Sequence, residues 1–184
     1  DIIVRINSID TPYWKADVDA ILPHRPGLIL LPKTGTAADV AEADAYITQV
    51  EEKLGLAKNT VGLMPLIETA LGVENAFAIA TASKRVRALF LGAEDLTADL
   101  QCKRTKEGRE IEYARTRLVV AARAAGIAVY DTPFTDVNDD EGIWVDARLA
   151  KSLGFSGKAS ISPRHVEVIN SVFSPTMKEI EYAY

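Results

Sequence analysis

An α/β fold is predicted by two features of the sequence: six short apolar runs, and longer helical patterns set between them. The runs are IIVRI (2–6), GLILLP (27–32), VGLMPLI (61–67), RALFLG (87–92), IAVYD (127–131) and GKASI (157–161). They are continuous rather than alternating, as expected of parallel strands covered on both faces. A third feature narrows the class. Polar residues fall at the ends of these runs: Arg5, Lys33, Glu68, Asp95 and Asp131, with Lys158 inside the last. In a barrel of parallel strands such positions converge on the carboxyl-end rim, where catalytic groups lie.

In chain order, the first run leads into a weak connection, 7–26, in which WKADVDAIL reads as a short helix. After the second run, helix 36–53 opens with Thr36 and Asp39, a capping box with Asp for the usual Glu, and Gly55 stops it. Helix 70–82 follows the third run. The fourth run, in LFLGAEDLTADL (89–100), ends at Gly92 and leads into Glu94 and Asp95. Helix 109–125 follows and is stopped by Gly126, and helices 139–153 and 163–171 flank the sixth run. MKEIEYAY reads as a last helix.

A doubly wound nucleotide-binding sheet is disfavoured, because neither G-x-G-x-x-G nor G-x-x-x-x-G-K-[ST] occurs. A TIM-type (β/α)8 barrel needs eight strands and about 250 residues. The reading is therefore a single partial barrel domain, residues 1–184, lacking the first two strand–helix units and the C-terminal tail.

Composition sets the outer limits. The chain is 48% hydrophobic and 26% charged, enough for a sizeable core. A net charge of −5 argues against nucleic acid as a partner. No apolar run approaches a membrane span, and one cysteine, Cys102, fits a reducing, cytoplasmic setting. With two histidines, His24 and His165, a His-rich zinc site is excluded.

Glu68 and Asp95 end neighbouring runs, roughly 4.8 Å apart in a sheet, so one hard cation such as Mg²⁺ can bridge them. Glu94 serves equally by this argument, and both acids have the alternative of capping helices or pairing with Arg5 or Lys33. Lys33 and Lys158 are candidates for phosphate attraction or for rim ion pairs. Asp131 is a candidate general base or a turn residue. Arg164 and His165 read as surface residues. CKRTKEGRE (102–110) reads as a solvated loop or, more sharply, a lid.

Seven stretches then match one family: VRINSIDTP (4–12), LLPKT (30–34), PLIETALGVENAFAIA (65–80), LFLGAEDLTADL (89–100), EYARTRLVVAARAAGIAVYDTPFTDVNDDEG (112–142), LAKSLGFSGKASISPRHVEVIN (149–170) and FSPTMKEIEYA (173–183). The chain resembles the citrate lyase beta subunits of the HpcH/HpaI aldolase–citrate lyase superfamily. The resemblance implies a Mg²⁺-dependent carbon–carbon lyase that cleaves a 3-hydroxyacyl thioester, such as citryl, malyl or citramalyl. Products are an oxo-acid and an acetyl thioester, carried on CoA or a phosphopantetheine arm. It implies Glu68 and Asp95 as metal ligands, Arg5 as a catalytic and substrate-binding group, and a trimer or a lyase complex as the assembly. Ser162 stands where many relatives have His. The general base, the acyl group and the carrier stay open. Two other readings stay open too: a class II aldolase acting on a pyruvate enolate and a free aldehyde, and a non-catalytic barrel subunit.

Overall fold

A computed structural model describes residues 2–183. The chain divides after Val129 into two compact units. No helix among the described residues is long and apolar enough to cross a membrane.

The first unit holds four parallel strands in chain order: β1 (Ile3–Arg5), β2 (Leu28–Leu31), β3 (Gly62–Ile67) and β4 (Ala88–Leu91). Helices follow them: α1 (Trp14–Ile21), α2 (Ala37–Lys53), the short α3 (Ala70–Glu74) and α4 (Ala76–Thr81), α5 (Ala93–Asp99) and α6 (Glu112–Ala125). β3 is buried at every position and lies between β2 and β4, whereas β1 is largely exposed. This is why β3 reads as an unbroken apolar run. Ile29, Leu31, Leu63, Ile67, Leu89 and Leu91 form the buried strand layer, with Val40, Ile47, Ile79 and Leu118 supplied by the helices.

The end signals act as read. Thr36 and Asp39 form a reciprocal capping box, and Asp39 also accepts the Gly35 N–H at 2.8 Å. Gly126 caps α6 in the left-handed conformation, φ +71°. On α1, Trp14 meets Tyr46 edge-on at 5.2 Å, and the Tyr46 hydroxyl donates to Asp19.

Three elements depart from the sequence reading. The helix expected over 70–82 breaks at Asn75, whose side chain donates to the Gly35 carbonyl at 2.9 Å. α5 was not anticipated; it starts immediately after Gly92 and carries both carboxylates. The β3–β4 register also slips. Leu63 pairs with Val86, an offset of 23 residues, but Leu66 pairs with Phe90, an offset of 24. The extra residue of β4 falls opposite Met64 and Pro65. Pro65 has no N–H to offer a ladder, so the strand bulges there.

At the amino end of the strands, the first unit buries Arg85 completely. Its guanidinium pairs with both Glu51 oxygens at 2.9 Å, with Asp44 at 2.8 Å and with the Val61 carbonyl at 2.6 Å. Burial pushes the Glu51 and Asp44 carboxyls up, but the Arg85 hydrogen bonds outweigh it and hold both below their ordinary range.

β5 (Ala128–Asp131) begins in the first unit, where the Ala128 N–H donates to the Arg87 carbonyl. Its last two residues belong to the second unit, with α7 (Asp140–Leu153), β6 (Gly157–Lys158), α8 (Pro163–Phe173) and α9 (Met177–Ala183). Tyr130 and Asp131 pair in parallel with Gly157 and Lys158, so the sixth strand is two residues long, not five. Phe134, Ile143 and Ile169 make its small core.

Candidate metal and substrate site

β3 delivers Glu68 one residue beyond Ile67, at the carboxyl end of the sheet. β4 ends one strand over at Leu91, and Gly92 turns the chain into α5, which presents Asp95 from its first turn. The two carboxyl groups are close enough that Asp95 raises the Glu68 carboxyl, by charge and by hydrogen bonding. Glu68 is 5% exposed, while Asp95 is open to solvent.

Two backbone features make room for this pair. Lys33 takes a left-handed backbone, φ +51°, at the end of β2. That turn aims its N–H at Glu68 Oε1, 2.8 Å away. Gly92 is the second. A Cβ there would stand 2.8 Å from Glu68 Oε2 and 2.9 Å from Glu68 Cβ. No other residue leaves Glu68 its space.

The electrostatics ask for a cation. Burial, first, pushes the Glu68 carboxyl up; the Lys33 N–H opposes this, and the charge and hydrogen bond of Asp95 add to it. The balance leaves Glu68 at about 7. A carboxyl raised in this way by burial and a neighbouring acid keeps its proton close to neutral pH. A hard cation can take the place of that proton. No group of three or more His, Cys, Asp or Glu residues poised for a metal occurs among the described residues. A two-carboxylate site leaves the remaining positions to water and substrate oxygens, as Mg²⁺ prefers.

The other expected residues divide. Lys33 meets Glu68 through its backbone, and its ammonium is exposed. Arg5 is exposed at the end of β1, two strands from Glu68, about 10 Å at ordinary sheet spacing. It has no ion-pair partner among the described residues. A pocket of about 290 Å³ opens beside it, lined on its polar side by Arg5, Asn7 and Asp17. Asp17 holds the Asn7 backbone and side-chain N–H groups, each at 2.8 Å.

Glu94 is not a second member of the carboxylate pair. It lies 3.5 Å from Arg104 Nε, on the loop side of α5. That loop is largely exposed, as the solvated reading has it, but it is tied internally. Glu110 gathers it, accepting from Arg104 at 2.7 Å and from the Thr105 N–H and hydroxyl at 2.9 and 2.7 Å. Burial pushes the Glu110 carboxyl up, but these bonds win and hold it at about 2.

In the second unit, Lys158 is buried between Asp131 and Asp146, at 2.7 and 2.5 Å, and donates to the Thr132 carbonyl. It is not available to a phosphate, and Asp131 is engaged with it rather than poised as a base. Ser162 caps α8 through its hydroxyl, which accepts from the Arg164 N–H. Arg164 is exposed, as read, but His165 is buried, 6.1 Å from the Phe134 ring centroid. The sequence spacing carries the signal for this: His165, Ile169 and Val172 share one helix face.

Parallel strands followed by helices, with polar residues gathered at the carboxyl ends of the strands, define an α/β protein of the class whose sites lie at that edge. The chain belongs to the HpcH/HpaI aldolase/citrate lyase family, whose model matches residues 1–163. It is 45% identical over its whole length to citrate lyase subunit beta of Leuconostoc mesenteroides subsp. cremoris, covering 61% of that protein. It is 37% identical to an L-malyl-CoA/beta-methylmalyl-CoA lyase of Cereibacter sphaeroides, over 98% of this chain and 63% of that one. The chain thus spans about three-fifths of the length of the curated relatives it matches. Among solved structures, RipC from Yersinia pestis superimposes with a TM-score of 0.85 at 33% identity, over 97% of this chain and 79% of that one. The Mycobacterium tuberculosis citrate lyase beta subunit, complexed with oxaloacetate and magnesium, gives 0.78 at 29% identity, over 94% of this chain and 73% of that one.

Proposed function

We propose that the chain is the metal- and substrate-binding part of a Mg²⁺-dependent carbon–carbon lyase acting on a 3-hydroxyacyl thioester. The observation that carries this reading is geometric: the Lys33 N–H and Gly92 hold the buried Glu68 carboxyl at the carboxyl end of β3, next to the first turn of α5 that bears Asp95. The donor set suits Mg²⁺, and the related Mycobacterium tuberculosis subunit was solved with magnesium and oxaloacetate. A structure of a 28%-identical relative holds magnesium, acetoacetate and coenzyme A, which supports a CoA-type thioester as substrate.

In this reading Glu68 and Asp95 hold the metal. When bound, Mg²⁺ supplies a Lewis acid for the substrate hydroxyl and its neighbouring carboxylate. Arg5 binds the substrate carboxylate or the oxygen that gains charge as the enolate forms; its planar fork fits either. The Lys33 ammonium adds positive charge for the anionic end of the substrate, while its N–H fixes the Glu68 rotamer. Cleavage of the carbon–carbon bond gives an oxo-acid and an acetyl thioester.

The same reading makes residues 1–184 part of one (β/α)8 barrel, supported by solved relatives that match 94–98% of the chain. It also makes the working protein an oligomer or a subunit of a lyase complex.

The test is release of an acetyl thioester from citryl-, malyl- and citramalyl-CoA, with Mg²⁺ and with EDTA. Cleavage of one of them, lost in EDTA and in Glu68→Gln and Asp95→Asn, is the expected result. Near-normal activity in either variant overturns the metal assignment. Loss of activity in all arms with metal still bound moves the substrate to a carrier-protein thioester or a free aldehyde.

A further inference from the structure

Two acids stand side by side at the start of α5, and only one of them joins Glu68. The loop that follows α5 supplies the reason. Gly108 turns the chain back in the left-handed conformation, φ +68°, and brings Glu110 onto Arg104. Arg104 is thereby fixed at its Nη1, with 13% of its side chain exposed. Its Nε is sealed from solvent and has no hydrogen-bond acceptor among the described residues; the carboxylate it faces is Glu94, at 3.5 Å. A buried N–H without an acceptor is costly, so Glu94 is drawn toward Arg104. α5 is tied at its other end as well, where Asp99 accepts the Ala70 N–H at 2.7 Å, two residues beyond Glu68.

We propose that Arg104 is a positioning residue for the metal site: by holding Glu94 on the loop side of α5, it rotates the first turn so that Asp95 faces Glu68. The inference rests on Glu68 and Asp95 being the metal ligands. It gives the largely exposed loop 102–110 a role beyond that of a solvated linker.

The sign of one substitution separates this from plain electrostatics. Arg104→Gln removes a positive charge near a cation site, and charge alone would tighten metal binding. Loss of positioning weakens it. Glu94→Gln supplies the second arm, because it leaves the Arg104–Glu110 bond in place.

The experiment is calorimetric titration of the full chain with Mg²⁺, and with Mn²⁺ followed by EPR, for wild type, Arg104→Gln, Glu94→Gln and the double variant. Expected are a several-fold weaker affinity in each single variant and little further loss in the double one. An Arg104→Gln variant that binds metal as tightly as wild type, or more tightly, overturns the proposal. So does Glu94→Gln losing the same factor in both backgrounds, since Glu94 would then act by charge alone. If Glu68→Gln and Asp95→Asn leave metal binding intact, the metal reading falls and this inference falls with it. If those two abolish binding while Arg104 and Glu94 do not matter, only this inference falls.

Discussion

Gly92 is the residue on which the carboxylate pair turns. Gly92→Ala places a methyl group 2.8 Å from Glu68 Oε2, so Glu68 leaves its place beside Asp95. We expect Mg²⁺ affinity to fall at least tenfold with the circular dichroism spectrum unchanged; an unaltered titration contradicts the geometry. Arg5→Lys is expected to be severe in kcat/KM, because a point charge replaces a fork, while metal affinity stays as it was. The sequence pointed to Glu68, Asp95, Arg5 and Lys33 because each lies at or just past the end of an apolar run, and a strand end is a recognisable address. It did not show that Glu94 belongs to Arg104 or Asp131 to Lys158. Those choices depend on partners 10 and 27 residues away, and no local pattern encodes them.

At the scale of elements, β3 and β4 were the most legible strands, because a strand buried on both faces must be apolar at nearly every position. α5 was not, since Glu94, Asp95 and Asp99 hide its few buried positions, Ala93, Leu96 and Thr97. The break at Asn75 was hidden too, because a hydrogen bond to Gly35 causes it. Two elements carry stability predictions. Arg85→Ala strands Glu51 in the interior and should cost about 3–5 kcal/mol in denaturant unfolding, the range for breaking a buried pair. The Glu110 clasp should answer to acid. Its folded carboxyl sits at about 2, below its unfolded value, so its contribution is full above roughly pH 4.5 and fades as pH falls toward 2. The melting-temperature gap between wild type and Glu110→Gln should therefore narrow over that window; a constant gap contradicts it.

For the whole molecule, metal binding must appear as stability. Mg²⁺ at a hundred times its Kd adds about 2.7 kcal/mol, which for a chain of this size raises Tm by roughly 5–10 °C. Glu68→Gln should show no such rise. A rise of the same size in that variant means that the ion binds elsewhere.

The bulge beside Pro65 reaches furthest. Because side chains alternate with a period of two, one extra residue exchanges the two faces of everything downstream on β4. With the upstream offset continued, Leu66 would lie beside Leu89 and the strand would end out of phase with Glu68. A missing proton on one ring nitrogen thus acts as a spacer: the residue it leaves out of the ladder is what brings the Gly92 N–H to the Ile67 carbonyl and keeps the turn that follows in step with Glu68.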